Sequence, residues 1–155
     1  MERRRRLAAE RAALGFLARR EHSAEELRGK LSRRFGAELV EAVLERLVQA
    51  GSLSDARFAH AFVDYRIRRG QGPNRIRAEL ERRGIEKELV LHCLERREEE
   101  WAAGCEAALR RRLGAGVSGL SAAERARQER FLAGRGFTRA QIGAAMRAVQ
   151  EALDG

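Results

Sequence analysis

The chain of 155 residues is long enough for one domain or for a row of small units, and its 32 basic and 23 acidic residues give a formal net charge of +9. Hydrophobic residues make up 44% of the sequence, near the globular norm, which excludes a disordered polymer. A chain rich in Ala, Leu, Glu and Arg with a single proline is predicted to be all-helical. The basic excess favours a polyanionic partner.

Cys93 and Cys105 have no second metal-ligating residue at a suitable spacing, and His22, His60 and His92 are equally isolated. No segment has the pattern of a signal peptide, and no apolar run is long enough to cross a bilayer. We therefore expect a cytoplasmic protein in a reducing compartment, with no metal, no cofactor and no membrane contact. No arrangement typical of a catalytic site is present, so we expect no enzymatic activity.

The first predicted helix begins in the basic run Arg3–Arg6. Four cations at a helix start oppose the macrodipole, so this segment is predicted to fray, either as a disordered end or as an arm that contacts nucleic acid. Ser23 and Glu26 have the spacing of a capping box at the start of the second helix. Gly36 separates the second helix from the third, which is predicted to stop at Gly51.

Ser54 is predicted to cap the fourth helix, whose apolar residues fall on two different sides of the cylinder. A helix that is apolar on two sides needs two packing partners, so we expect this helix to lie between the first and second units of the chain. Phe62 is expected to be buried at that junction. The two stripes are Phe58, Phe62 and Tyr65 on one side and Ala59, Val63 and Ile67 on the other.

Glycine and proline divide the middle of the chain. Gly70 is predicted to end the fourth helix and Pro73 to open the fifth, because the missing N–H of proline costs nothing at the first helical position. Gly84 separates the fifth helix from the sixth. The seventh helix follows with neither Gly nor Pro before Gly104, so one continuous helix and two separate helices both remain possible. A glycine-rich connector then spans residues 114–119.

Two further capping boxes are predicted after this connector. Ser121 has Glu124 three residues on, and Thr138 has Gln141 at the same spacing. Together with the glycine stops, these caps predict about nine helices and no sheet.

Short segments recur along the chain at a spacing of roughly fifty residues, which is the signature of tandem units. Arg135-Gly136-Phe137 repeats the pattern of Arg83-Gly84-Ile85. We therefore predict an elongated all-α array of three tandem three-helix repeats of the helix-turn-helix type. The predicted units are residues 1–53 with the basic N-terminal arm, residues 54–97, and residues 98–155 with the glycine-rich connector.

Five arginines surround the turn between the fourth and fifth helices, and no acidic residue lies between the first and last of them. A helix start also offers free backbone donors to an anion. We interpret this stretch as a surface that binds nucleic-acid phosphates or a filament, although a solvated helix face has the same composition. The predicted contact residues are Arg66, Arg68, Arg69, Arg75 and Arg77.

Acidic residues are concentrated elsewhere, in the third helix and around the sixth. Glu38, Glu41 and Glu45 in the third helix are accompanied only by Arg46. Alternating basic and acidic zones suit a protein that meets a nucleoprotein surface, and they are equally compatible with a role in solubility alone.

Several of these segments, taken in order, resemble the RecX family of small helical regulators of the RecA recombinase. The resemblance covers roughly Leu14 to Leu94 well and the remainder loosely. The segments that carry it are Arg20–Leu27 followed by Lys30-Leu31, Gly51–Ala59, Arg69–Pro73 and Leu80–Ile85.

The resemblance implies a regulatory protein that binds the RecA–DNA filament, lies along its groove and suppresses strand exchange, ATP turnover and filament growth. It thereby implies roles in homologous recombination, DNA repair and the SOS response. The partners it implies are the RecA filament and single- and double-stranded DNA, contacted non-specifically through phosphates, and we expect a monomer.

Two other classes of protein remain possible from the sequence. Trihelical units also occur in helix-turn-helix transcription regulators. The predicted recognition helices carry few Asn, Gln or Ser residues for reading base edges, so sequence-specific recognition is expected to be weak. A nucleic-acid-binding protein without a recombinase partner is the third possibility.

Overall fold

The computed structural model describes all residues from Met1 to Gly155 and is all-α, with nine helices and no strand, as predicted. No helix is both long and apolar enough to span a membrane. The helices are α1 (Glu2–Arg19), α2 (Ala24–Leu31), α3 (Ala37–Gln49), α4 (Asp55–Arg68), α5 (Pro73–Arg82), α6 (Lys87–Leu94), α7 (Glu98–Leu113), α8 (Ala122–Gly134) and α9 (Arg139–Asp154).

The chain forms two compact units, the first of which contains Met1–Phe62 and Leu80–Val90. Helices α1, α2 and α3 pack against one another around an aliphatic core. On folding, the apolar side chains on the facing stripes of the three helices are removed from water. This burial is the main contribution to the stability of the unit. The buried residues of this core are Ala9, Ala13, Leu27, Leu31, Val40, Val43, Leu44, Leu47 and Leu53.

Local signals set the helix boundaries of this unit. The Ser23 hydroxyl accepts the Glu26 N–H at 3.1 Å, and the Glu26 carboxylate accepts the Ser23 N–H at 3.2 Å, which confirms the predicted capping box. Gly51 follows α3 with φ of 78°, a conformation that favours glycine. The prediction that Arg3–Arg6 fray is not supported, because α1 already begins at Glu2. Glu2 in the first turn opposes the unfavourable charge of the arginines there.

The second compact unit contains Val63–Glu79 and Leu91–Gly155. Helix α7 packs along α9, and α8 packs against both. Thr138 and Gln141 form the predicted reciprocal capping box at the start of α9. The buried hydrophobic residues of this core are Cys105, Ala108, Leu109, Leu132, Phe137, Ile142, Ala145, Met146 and Val149.

The structure corrects the sequence prediction at one helix boundary of this unit and decides between two alternatives at another. At the start of α8 the Ser121 hydroxyl accepts the Glu124 N–H at 3.2 Å, but the reciprocal bond is absent, so only half of the predicted box forms. Helices α6 and α7 are separate, and Arg96 between them has φ of 59°. A left-handed residue cannot continue an α-helix, which explains a break that no Gly or Pro announces.

The apolar residues of α4 are buried to different extents. Phe58 is 4% exposed, whereas Phe62 is only partly buried and Tyr65 is half exposed. The expectation that Phe62 is buried is therefore met only in part. Its ring lies 5.8 Å from the ring of Phe58 and 5.0 Å from the guanidinium of Arg83, and such a cation–π contact lets an aromatic ring remain near water.

Both cysteines are free and buried. Burial raises the pKa of the Cys93 thiol, and it raises the pKa of the Cys105 thiol to about 11. Since the thiolate is the reactive form, both side chains behave as small apolar core residues at neutral pH.

Candidate nucleic-acid interface

The five predicted contact arginines all lie in the second compact unit, on the last turn of α4, directly after it, and on the first two turns of α5. We call Arg66, Arg68, Arg69, Arg75 and Arg77 the arginine surface. Four of them are exposed, and Arg66 is partly buried. The α4–α5 turn thus brings together residues that are up to eleven positions apart in the sequence.

Arg66 is ion-paired within the unit. Its Nη2 lies 2.8 Å from Oε2 of Glu79, and its Nη1 donates to Oε1 of Gln71 at 3.3 Å. Glu79 lies just beyond the acid-free stretch, on the second turn of α5, and its side chain is 16% exposed. A shielded, multiply bonded guanidinium holds two elements together, so Arg66 positions the turn rather than presenting a free charge.

The other four guanidinium groups reach the solvent. Arg69 lies over the ring of Tyr65, with its guanidinium carbon 5.8 Å from the ring centroid. The Nε of Arg75 is 3.8 Å from Glu79, a distance at which an exposed ion pair is weak. Arg77 donates to the Asn74 side-chain oxygen at 3.0 Å. Glu79 pairs with Arg66 and more distantly with Arg75, and the exposed guanidinium groups leave positive charge available to a polyanion.

The turn beneath the arginine surface is held by the α8–α9 turn. The N–H of Gly72 donates to the carbonyl of Arg135 at 2.8 Å, and the N–H of Asn74 donates to the carbonyl of Gly136 at 2.8 Å. The Arg135 side chain in return donates to the carbonyl of Gly70 at 3.2 Å and to that of Arg69. A guanidinium fork that spans two successive carbonyls fixes the path of the backbone.

This contact overturns one expectation about the site. The start of α5 was predicted to offer free backbone donors to an anion. The N–H groups of Gly72 and Asn74 are both used, and Pro73 between them has none. Of the predicted backbone donors at this helix start, these two are taken, so binding of an anion at this turn depends mainly on the arginine side chains.

Arg135 and Gly136 were not identified as part of the site, although the sequence carried a signal for them. Arg83-Gly84 is the matching segment of the preceding repeat, and it packs in the same way within the first compact unit. There the Ser23 hydroxyl donates to the Arg83 carbonyl at 3.2 Å, and the Arg83 guanidinium lies 3.0 Å from the Glu26 carboxylate. In both units an Arg-Gly turn thus packs on the start of a helix, α2 in the first and α5 in the second.

The acidic zone around α3 is partly neutralised. Arg28 pairs with Glu41 at 2.6 Å, and this bond holds the pKa of Glu41 below its ordinary value. Asp55 accepts the Ala24 N–H at 2.8 Å. The third helix therefore presents less free negative charge than its composition indicates.

His22 is buried beside the start of α2. Its Nδ1 lies 3.1 Å from the Arg20 carbonyl, and its Nε2 lies 2.8 Å from Nζ of Lys30. An ammonium group can only donate, so Nε2 accepts and Nδ1 carries the proton. Burial is the main cause that lowers the pKa of this histidine. The ring is thus a neutral structural group, as expected for a residue next to a cap.

Relatives of the chain share most of its length. It is 46% identical to the regulatory protein RecX of Halorhodospira halophila over 141 residues. This matched region covers 90% of this chain and 87% of that protein. It is 45% identical over 139 residues to the regulatory protein RecX of Pseudomonas syringae pv. tomato, covering 88% of each. The crystal structure of RecX from Lactobacillus salivarius has the same fold, with a TM-score of 0.80 at 17% identity over 96% of both chains.

Two segments also match known domains of this family. Residues 9–47 match the first three-helix domain of RecX, and residues 54–94 match the second. The second segment contains the whole arginine surface. The chain belongs to the RecX family of regulatory proteins.

Proposed function

We propose that the protein regulates the RecA recombinase by binding the RecA–DNA filament and suppressing strand exchange, ATP turnover and filament extension. The observation that carries this proposal is the similarity to RecX proteins over 90% of the chain. The proposed role is regulatory and requires no catalytic residue. The protein is proposed to bind along the groove of the filament, as a monomer in the cytoplasm.

The arginine surface is the proposed point of contact with phosphate or with an acidic face of the filament. Four exposed guanidinium groups around one turn supply planar donors that match phosphate oxygens. Phosphate contacts fix the position of a protein on nucleic acid and carry no sequence information. Binding is therefore proposed to be independent of DNA sequence, on both single- and double-stranded DNA.

The α4–α5 turn supports this assignment through its rigidity. Arg66 bonds to both Gln71 and Glu79, and the Arg135 side chain donates to the carbonyls of the turn. Side chains on a preorganised turn lose less conformational entropy on binding than those on a mobile loop. The exposed face of α3 and α6 is proposed to meet the protein component of the filament.

Cosedimentation with RecA filaments tests the proposal. The chain is mixed with RecA alone, with RecA on single-stranded DNA, and with the DNA alone, and ATP turnover is followed in parallel. We expect the chain to sediment with the RecA–DNA filament and to lower its ATP turnover. An unrelated protein of similar size and net charge serves as the control. Binding to DNA of one particular sequence, with no effect on RecA, would favour a transcription regulator instead.

A further inference from the structure

A second basic surface lies in the first compact unit, where α1 and the end of α2 enclose a cavity of about 280 Å³. Residues one turn apart on α1 form one wall, and residues of α2 and the segment after it form the other. This volume is slightly below the roughly 300–1,000 Å³ of sites that hold a drug-sized ligand. The residues that give the cavity its chemistry are Gly15, Phe16, Arg19, Lys30, Arg34 and Phe35.

All charged groups that line this cavity are cationic. Arg19, Lys30 and Arg34 line it, and none of the three forms an ion pair with a carboxylate. The hydrogen-bond partner of the Lys30 ammonium is the neutral Nε2 of His22, at 2.8 Å. A neutral acceptor leaves the positive charge of Lys30 uncompensated, so the cavity attracts an anion.

Two aromatic rings face the same cavity. Phe16 and Phe35 are both partly buried: each packs against the aliphatic core on one side and contributes to the cavity wall on the other. The Lys30 ammonium lies 4.8 Å from the ring centroid of Phe16, and the Arg34 guanidinium lies 5.3 Å from that of Phe35. Each cation is therefore held beside a ring, and both kinds of group line the same cavity.

We propose that this cavity binds one nucleotide of single-stranded DNA, with the base against Phe16 and Phe35 and the phosphate held by Arg19, Lys30 and Arg34. Proteins that bind single strands combine aromatic side chains, on which bases stack, with basic residues that follow the backbone. A base within a duplex is paired and stacked and cannot enter such a cavity. The site lies in the other compact unit from the arginine surface, and it does not depend on the proposed action on RecA.

Gly15 provides a test that leaves the fold intact. It is an exposed helical residue on the cavity wall, and a Cβ added there would have no atom within 4 Å. Gly15→Gln therefore fills the cavity without changing charge. Gly29→Gln is the matched control, because Gly29 is also exposed, helical and open, and it does not line the cavity. Phe35→Leu removes a stacking ring instead.

The experiment measures the affinity of the full chain for a labelled oligothymidylate and for an abasic strand of equal length, in the absence of RecA. We expect the parent to bind the oligothymidylate more tightly, by about 5- to 150-fold, since this corresponds to the stacking of one base. Gly15→Gln and Phe35→Leu should abolish that difference, and Gly29→Gln should preserve it.

Three results would overturn the proposal: equal affinity of the parent for both strands, equal behaviour of Gly15→Gln and Gly29→Gln, or competition by free thymidine monophosphate as strong as competition by the strand. Strong competition by free thymidine monophosphate would indicate that the cavity binds a free nucleotide instead of a strand. RecA is absent from this experiment, so a negative result would not contradict the proposed regulatory function. In the same way, a negative result in the RecA assay would not contradict binding of single-stranded DNA in this cavity.

Discussion

Arg66 and Arg68 are two positions apart on α4, yet their surroundings differ. Arg66 is ion-paired with Glu79 at 2.8 Å, while Arg68 is exposed. Residues two apart on a helix lie about 200° apart around its axis, so they face opposite sides. The run of arginines predicted the sign of this surface correctly. It could not tell which arginine is neutralised, because the partner carboxylate lies on the next helix.

The different burial of the aromatic residues on α4 gives a prediction about stability. Phe58→Ala should lower the free energy of unfolding by about 3–5 kcal/mol, because its ring is 4% exposed and truncation leaves a cavity. Phe62→Ala should cost less, since that ring already contacts water. Urea unfolding of both variants measures the difference. A larger loss for Phe62→Ala would show that the burial described for α4 is incorrect.

His22 predicts part of the pH dependence of stability. Its pKa in the folded state lies below the ordinary 6.5, chiefly through burial, so the unfolded chain binds this proton more readily. Stability contributed by His22 is therefore complete above about pH 6.5 and is lost as pH falls below it, at up to about 1.4 kcal/mol per pH unit.

The thermal midpoints of the parent and of His22→Asn at about pH 7.5 and 5.5 measure this contribution. Asparagine keeps a donor for the Arg20 carbonyl but cannot take up a proton in this range. The drop in midpoint on acidification should be smaller in the variant. An equal drop in both proteins would contradict the assignment of a neutral, buried histidine.

The sequence was most informative about where individual helices begin and end. The capping boxes at Ser23 and Thr138 form as predicted, because both partners lie within four residues and need no tertiary contact. Ser121 forms only half of its box. The break between α6 and α7 was left open by the sequence, since Arg96 adopts a left-handed conformation without a glycine to indicate it.

Contacts between turns were not predictable from local signals. The Arg135-Gly136 turn packs on the start of α5, which lies about sixty residues earlier in the chain. Only the repeated Arg-Gly dipeptide pointed to it. This contact removed the predicted backbone anion site and left the arginine side chains as the candidate.

Gly136 gives a prediction for this contact. It has φ of 104°, and a Cβ there would overlap the Cβ of Arg75. Gly136→Ala should therefore destabilise the fold by about 2 kcal/mol or more, through backbone strain and steric overlap. Gly134→Ala is the matched control, because it is helical and open, and it should be neutral or stabilise by up to about 1 kcal/mol. Equal unfolding midpoints for the two variants would rule out the close packing of the two turns.

For the molecule as a whole, composition predicted the fold class, and the polyanionic partner that the basic excess favours stays a prediction. The all-α fold follows from propensity and caps, and it is confirmed. The division into units 1–53, 54–97 and 98–155 stays a prediction. The compact units do not follow chain order, since Leu80–Val90 group with the N-terminal helices through the Arg83-Gly84 turn. Such a grouping depends on long-range contacts that a repeat pattern does not specify.

The central claim is that the exposed part of the arginine surface mediates regulation of RecA. Its direct test compares the parent with a triple variant, Arg68→Gln, Arg69→Gln and Arg75→Gln, whose replaced side chains are exposed. The control is Arg127→Gln, Arg130→Gln and Arg139→Gln, which removes the same charge from exposed sites in the same compact unit. Helicity is checked for all three proteins by circular dichroism.

Suppression of RecA ATP turnover is then measured at about 50 and 200 mM salt, together with filament binding. Each lost phosphate contact should lower the salt dependence of binding by about 0.7–0.9 in log–log slope. We predict that the arginine-surface variant remains folded but binds and inhibits more weakly on DNA of any sequence, while the control variant behaves like the parent. Full inhibition by a folded arginine-surface variant would show that these arginines do not mediate regulation. The acidic helices α3 and α6 would then be the better candidates for the contact.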